Sequence, residues 1–434
     1  MASEAFSSEV VISATGRNML IFSAPNPAAK VVLFGVLFIS FRTFVGSFSG
    51  IYPLSEGISV FELGLIKTYL AACILVFDIP SSFLFDRKGY LVSIMIACFS
   101  AVIYFFLLSI SEEFWQFLAA ETFNAIVLAL FSGAFTAALH SICSVSGLLF
   151  SVENAKYQKW NHLGMLITAG MGSAGVYFLT GGESELRNFA PIFLFSSFAF
   201  LFLLISSPLL LSSVRNQDLD RRSRVGDSLE KFKFNVLVSE VIAGANGVKF
   251  LFLSLTLNGI IFGVILQLWQ PLLFTMDAMM PSLQLFAIFA FTMVAQAMSG
   301  SLINNVIVVK ITIGLVMLDS MLMLMLMLMS DGSHNNLLLI AFVGSLPLVF
   351  FLIRFFNIWF ETLLLENLES ELKATVISLS GTIDTGLTLI LLPLFFFMIG
   401  HFGLYSYALV TLILAVIYTL LWQSLRKLKT TSEP

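Results

Sequence analysis

The stretch Asp78-Ile79-Pro80-Ser81-Ser82-Phe83-Leu84-Phe85-Asp86-Arg87-Lys88-Gly89-Tyr90 closes one long apolar segment and opens the next. Its centre, Asp86 to Gly89, is a tight polar turn, too short to be a domain. Arg87 and Lys88 stand at the very edge of an apolar segment, and basic residues so placed mark the cytoplasmic side of a membrane.

Composition leads to the same class. The chain has 434 residues, 58% hydrophobic and 11% charged, where soluble domains carry about 25% charged residues. With a mean hydropathy of +0.97 it has too little polar surface to face water all round, and it is expected to be an all-α, polytopic membrane protein. The net charge of -4 says little, because the charges sit in loops. Cys73, Cys98 and Cys143 fall in or beside apolar segments with no metal spacing and no disulfide framework, and are expected to be small core residues.

A helix needs about 20 apolar residues to cross a bilayer. On that measure the spans are 31–53, 62–84, 91–110, 114–138, 162–180 and 190–211, then 246–274, 281–303, 307–329, 337–360, 374–399 and 402–424. The expected organisation is a cytoplasmic tail (1–30), a six-helix bundle (31–211), a charged cytoplasmic linker (212–245), a second six-helix bundle (246–424) and a short tail (425–434). The first 30 residues have neither a basic n-region nor an apolar core before a cleavage site, so they read as a polar tail ending at Pro25 and Pro27. Seventeen of the 22 lysines and arginines fall on one side of this layout and only Arg187 on the other, with Arg42, Lys67, Lys249 and Arg354 inside spans. That asymmetry predicts a multi-pass protein of the cell membrane with both termini cytoplasmic. The run Met321 to Met329 alternates Met and Leu, but no polar residue marks a face, so it is expected to be helical and to serve as lipid-facing or packing filler.

The small residue Ser82, then Leu84, Asp86, Arg87 and Gly89, resembles the G-x-L-a-D-R-x-G-R loop between helices 2 and 3 of the major facilitator superfamily, with Tyr90 where a basic residue is usual. Further matches follow in order. Gly57-Ile58-Ser59 with Glu62-Leu63-Gly64 resembles the opening of helix 2, and Ser132-Gly133-Ala134-Phe135-Thr136-Ala137 resembles a segment late in helix 4. Trp269-Gln270-Pro271 is similar to a helix 7 feature and Lys373-Ala374-Thr375-Val376-Ile377-Ser378-Leu379 to the start of helix 11. Gly300-Ser301-Leu302-Ile303-Asn304-Asn305 echoes Ser82 to Arg87 after the eighth span, a half-to-half repetition found in transporters built from related bundles. The resemblance implies twelve helices in two pseudo-symmetric bundles. It also implies an inner gate at Asp86, Arg87 and Gly89, with Asp78 in the place of a helix 2 acid and part of the same gate.

Charges inside spans cost a few kcal/mol and tend to be paired and functional. Arg42 lies about eleven residues into the first span, roughly 17 Å deep, and Glu121 about seven residues into the fourth, roughly 10 Å deep from the other side. The family fold would bring these two spans to the central cavity, so a direct Arg42–Glu121 pair is expected, either structural or involved in substrate and proton binding. In the seventh span Gln267, Trp269 and Gln270, with the deeper Asn258, offer amides and an indole suited to an amphipathic solute. Arg354 and Asp384 come to similar depth in the tenth and eleventh spans and are expected to be near enough to pair.

No phosphate-binding G-x-x-x-x-G-K-S/T loop, no G-x-S-x-G elbow and no zinc spacing among His140, His162, His334 and His401 is present, so no cofactor, no metal and no enzymatic activity is expected. Arg221, Arg222 and Arg224 read as a solvated tether against anionic lipid heads rather than a nucleic-acid contact. The function expected is secondary active transport by alternating access, with a small-molecule substrate and protons as partners: proton-coupled export of an amphipathic compound, with Glu121 as the titrating acid. The alternatives are uptake of an anionic metabolite anchored by Arg42 and Arg354, or a receptor or enzyme on the same scaffold.

Overall fold

Local capping chemistry sets where the helices begin. Before the second long helix the Ser59 N–H donates to Glu62 Oε2 at 2.9 Å, and the Glu62 N–H donates to Ser59 Oγ at 3.2 Å. The two side chains thus satisfy each other's orphan backbone donors. Glu113 and Gln116 do the same at the start of the fourth. In the computed structural model, residues 27–179, 189–215, 246–275, 282–301, 306–329, 335–366 and 373–431 are described. Twelve long helices are seen among them: α1 Pro27–Thr43, α2 Val60–Lys88, α3 Tyr90–Ser109, α4 Phe114–Val145, α5 Phe150–Leu179 and α6 Ala190–Leu210, then α7 Asn246–Thr275, α8 Ser282–Ser301, α9 Val306–Met329, α10 Asn335–Glu366, α11 Lys373–Phe402 and α12 Leu404–Thr431.

Each expected span coincides with one helix; α4, α10 and α12 run six or seven residues past their expected ends, and three further differences bear on the fold. The first helix stops at Thr43 and not near residue 53; a chain of turns over residues 44–50 and a one-turn helix, Tyr52–Ser55, complete the crossing. Gly46 and Gly50 stand in this broken stretch, where backbone entropy works against continuing a helix. The expected Asp86–Gly89 turn shrinks to one residue. Helix α2 runs to Lys88, and Gly89, at φ +86°, reverses the chain into α3. That left-handed conformation is costly for any residue with a Cβ. Helix α5 begins twelve residues before the expected span, its polar first turns supported by Lys156 Nζ 2.7 Å from Glu153 Oε1.

Ten of the helices are long and apolar enough to cross a membrane, while α8 offers a shorter apolar stretch, Gln284–Ser299. Side chains left bare on the peripheral helices are apolar: Phe198, Phe202, Ile205 and Leu209 follow one face of α6, and Ile307, Ile311, Leu315, Leu318 and Met325 one face of α9. Stripes of this size in water would aggregate, and in lipid they are solvated. The described part of the Met-Leu run is helical, with Met321 and Met325 on the outside and Met323 fully buried. The chain is a multi-pass, all-α membrane protein.

Helices α1 to α6 pack among themselves, as do α7 to α12. Phenylalanine fills the first half: Phe38 stacks on Phe131 at 3.6 Å and meets the edge of Phe200 at 5.0 Å, and Phe200 stacks on Phe105 at 5.4 Å. The halves meet along two seams, α2 against α11 and α5 against α8. The far face is the end where α1 and α7 finish, opposite the end at which α1 starts, and two described contacts across these seams lie toward it. There the Phe396 ring fills the space in front of Gly64, and the Phe286 ring that in front of Gly170. Within the first half, Gly172 of α5 lets the carbonyl of Phe44 come directly against its Cα, an approach that any side chain would block.

Candidate functional site

A cavity of about 310 Å³ lies in the second half, lined by Gly259, Phe262 and Gly263 of α7, Ile353, Arg354 and Asn357 of α10, and Asp384, Thr385 and Thr388 of α11. Gly259 is near the middle of α7, so the cavity sits deep between the two membrane faces. The missing Cβ at Gly259 is what admits the Asp384 carboxylate, which packs directly against the Gly259 Cα. Arg354 and Asp384 both reach the cavity, but no ion pair joins them among the described residues. The expectation that they could pair is therefore replaced by two opposite charges facing a shared space. Asp384 Oδ1 lies 3.1 Å from the Thr385 hydroxyl, which also lies 2.8 Å from the Gly381 carbonyl. A hydroxyl has one proton to donate, so the carboxylate receives at best part of it.

Asn258 does not face this space. It is fully buried, its amide donating to the Ile353 carbonyl at 3.1 Å and to Asn357 Oδ1 at 3.3 Å, while its own oxygen accepts from the Tyr418 hydroxyl. Tyr418 is in turn stacked on Phe356 at 4.2 Å. The expected ligand-binding role of Asn258 gives way to that of a brace, because all its polar groups are spent on α10 and α12. The bond to Asn357 has a consequence for the cavity: with Oδ1 engaged, what Asn357 has left to offer a ligand in the cavity it lines is its N–H₂ donors.

In the first half the expected Arg42–Glu121 pair is not made. Glu121 Oε1 lies 2.5 Å from Lys67 Nζ of α2, its Oε2 accepts from the Asn124 amide at 2.5 Å, and Asn124 Oδ1 accepts from Arg42 at 3.1 Å. The acid is thus neutralised by Lys67 and tied to Arg42 only through Asn124. Arg42 stands one residue from the end of α1, and its reach at that level meets the amide one turn beyond Glu121 before the carboxylate itself.

The remaining expected residues are dispersed. The Gln270 side chain crosses to the first half, where its amide donates to the Gly46 carbonyl at 2.9 Å and its oxygen accepts from the Gly50 N–H at 2.5 Å. Both partners belong to the broken segment after α1, whose backbone groups are not used up by a helix. Trp269 is buried in the protein core, so it does not stand in a lipid-interface belt, and Gln267 is half-buried; neither lines the cavity. Asp78 is exposed near the end of α2, and Gly89 forms the α2–α3 break. The side chains of Asp86 and Arg87 lie outside the described residues, as does the linker 216–245.

Lys67, Asn124, Asn357 and Thr388 were not singled out from the sequence. Lys67 alone had a signal: it stands seven residues into α2, as Glu121 stands seven into α4, and both helices start from the far face. The other three are uncharged polar residues of a kind common in spans, and only packing distinguishes them.

No family model and no curated protein sequence matches the chain. Solved structures do. A crystal structure of the nucleoside transporter NupG is similar with a TM-score of 0.66 at 12% identity, over 91% of this chain and 97% of that one. A POT family transporter in complex with 5-aminolevulinic acid is similar with a TM-score of 0.62 at 13% identity, over 92% and 96%. A D-xylose–proton symporter is similar with a TM-score of 0.59 at 14% identity, over 90% and 95%. At such identities the likeness is one of architecture, and that architecture, two six-helix bundles, is the fold of the major facilitator superfamily.

Proposed function

We propose that this protein is a secondary active transporter that moves a small solute across the membrane by alternating access between its two bundles, and that it is coupled to protons. The observation that carries this is the cavity at mid-height, where Arg354 and Asp384 face a shared space without pairing. Unpaired charges at membrane depth are costly and persist where a ligand or ion supplies the partner. A nucleoside transporter, a sugar–proton symporter and a POT transporter share the fold, which supports transport as the function class. The Gln270 bonds to Gly46 and Gly50 and the ring contacts at Gly64 and Gly170 support a conformation closed at the far face.

Proton coupling is assigned to Asp384 and no longer to Glu121. Glu121 already has Lys67 as its counter-ion, whereas Asp384 has the Thr385 hydroxyl and backbone N–H but no counter-ion among the described residues, and stands on α11, along the seam with α2. A carboxylate in that position can hold either a proton or a cationic part of the solute. That competition is the basis of exchange and agrees with export driven by inward proton flow. The lining also tells against the anionic-metabolite reading, since Asp384 would repel a plain anion and Arg42 is occupied by Asn124.

The test is reconstitution into liposomes carrying a pH-sensitive dye, with small polar solutes supplied against an imposed pH gradient. Solute-dependent proton movement, lost in Asp384→Asn and retained in a control variant such as Phe198→Leu on the lipid face, is the expected result. Equal proton movement with and without every solute would remove the proposal.

A further inference from the structure

Two charges of opposite sign that line one cavity without pairing define a ligand more narrowly than transport alone does. Arg354 makes no hydrogen bond and no ion pair among the described residues, although Glu361, two turns along α10, lies near enough to feel its charge. Beside it, Asn357 offers amide N–H groups oriented by the brace to Asn258. This side of the cavity is a donor surface with a positive charge. The opposite side, on α11, carries the Asp384 carboxylate and the Thr388 hydroxyl, an acceptor surface with a negative charge. Phe262 and Ile353 supply apolar wall between them.

We infer that the ligand of this cavity is a small zwitterion, its carboxylate held by Arg354 and Asn357, its ammonium by Asp384 and Thr388, and a compact apolar body against Phe262 and Ile353. A ligand with one charge leaves the other, half-buried protein charge without a counter-ion at membrane depth, which costs more than the lost contact alone. A neutral solute leaves both. The size agrees: water occupies about 30 Å³ per molecule in the liquid, so the cavity holds a solute of around ten heavy atoms. Planar, two-pronged donation by the guanidinium suits a carboxylate better than a hydroxyl. The absence of an Arg354–Asp384 pair is itself part of the fit, since direct pairing would close the space the solute needs. Asn258 and Tyr418 act as positioning residues: they touch no ligand and set which edge of Asn357 faces the cavity.

This inference rests on the cavity being the solute site of the proposed transporter, and its test is therefore made on binding without any gradient. Detergent-solubilised full-length protein is titrated, by calorimetry and by thermal shift, with L-leucine and with 4-aminobutyrate, 5-aminopentanoate and 6-aminohexanoate, which vary the separation of charge. Each zwitterion is compared with its amine-only and carboxylate-only analogues, for leucine 3-methylbutylamine and 4-methylpentanoate. At least one zwitterion binds, and its single-charge analogues bind roughly 10- to 100-fold more weakly, as expected for the loss of a charged hydrogen bond. Arg354→Gln removes the preference for the carboxylate, Arg354→Lys restores much of it, and Asp384→Asn removes the preference for the ammonium. Tyr418→Phe weakens zwitterion binding without changing the order of preference. Binding of single-charge or neutral analogues as tight as that of every zwitterion, or no binding by any zwitterion, overturns the inference. Zwitterion binding without flux in liposomes leaves the inference standing and removes the transport proposal instead.

Discussion

Gln270 closes on the backbone of Gly46: its side-chain amide crosses from α7 to the turn segment after α1 and donates to the Gly46 carbonyl at 2.9 Å. With the Gly50 N–H donating back to the same side chain, one residue clasps the two bundles at the far face. The first prediction follows. Gln270→Leu keeps the volume and removes both bonds, worth about 1 kcal/mol each, so the population open at the far face should rise by roughly tenfold or more. A cysteine at Glu56, at the same face, should then react faster with a membrane-impermeant maleimide. An unchanged labelling rate in a well-folded variant would show that the clasp does not hold the gate.

The pair Lys67–Glu121 is almost enclosed, with side-chain exposures of 14% and 4%. Glu121→Gln should leave Lys67 without a counter-ion and destabilise the first bundle by roughly 3–5 kcal/mol. The double variant Lys67→Met, Glu121→Leu should recover most of that loss, because both charges leave together. Thermal unfolding of the unsubstituted protein, Lys67→Met, Glu121→Leu and the double variant in detergent measures the coupling. Full additivity of the single variants would mean the pair carries no interaction energy.

Helix α5 and the turn that follows α1 approach as closely as backbone permits at Gly172, against the Phe44 carbonyl. Gly172→Ala should force the turn away from α5 and cost about 1–3 kcal/mol. Gly314→Ala, where a Cβ meets open space, should be neutral or slightly stabilising because Ala favours the helix. Melting temperatures of the two variants check this, and similar values would remove the close-packing explanation.

Sidedness comes from the distribution of Lys and Arg. In a background with Cys73, Cys98 and Cys143 replaced, a cysteine at Ser223 in the linker should label only from the cytoplasmic side. One at Glu112, between α3 and α4, should label only from outside. Labelling of Ser223 from outside in intact cells reverses the orientation.

Much of this molecule was legible without coordinates, and the reason is the same in each case. Span length, loop charge and the order of short motifs are properties of the chain in one dimension, and a bilayer reads them in one dimension. The Ser59–Glu62 capping box is an example: the residues that resemble a family segment are the ones that start α2. Depth was legible too, since rise per residue converts position into height. Arg354 and Asp384 were matched in height from sequence, and both reach the same cavity.

Height does not give azimuth, and azimuth decides partners. Arg42 and Glu121 were matched by depth, yet Lys67 holds the acid and Asn124 holds Arg42. Asn258 was chosen for its depth and polarity, yet its face points to α10 and α12. Gln270 was expected to face a solute and instead bonds backbone freed by the break after Thr43, which an unbroken apolar run did not announce. The sequence by itself determined twelve long helices, most of them apolar enough to cross a membrane, because hydrophobic length and charge bias act on each segment alone. Only the tertiary structure decided which polar side chains meet, because a helix rotated by one residue turns its face by about 100° at almost no change in its burial in lipid.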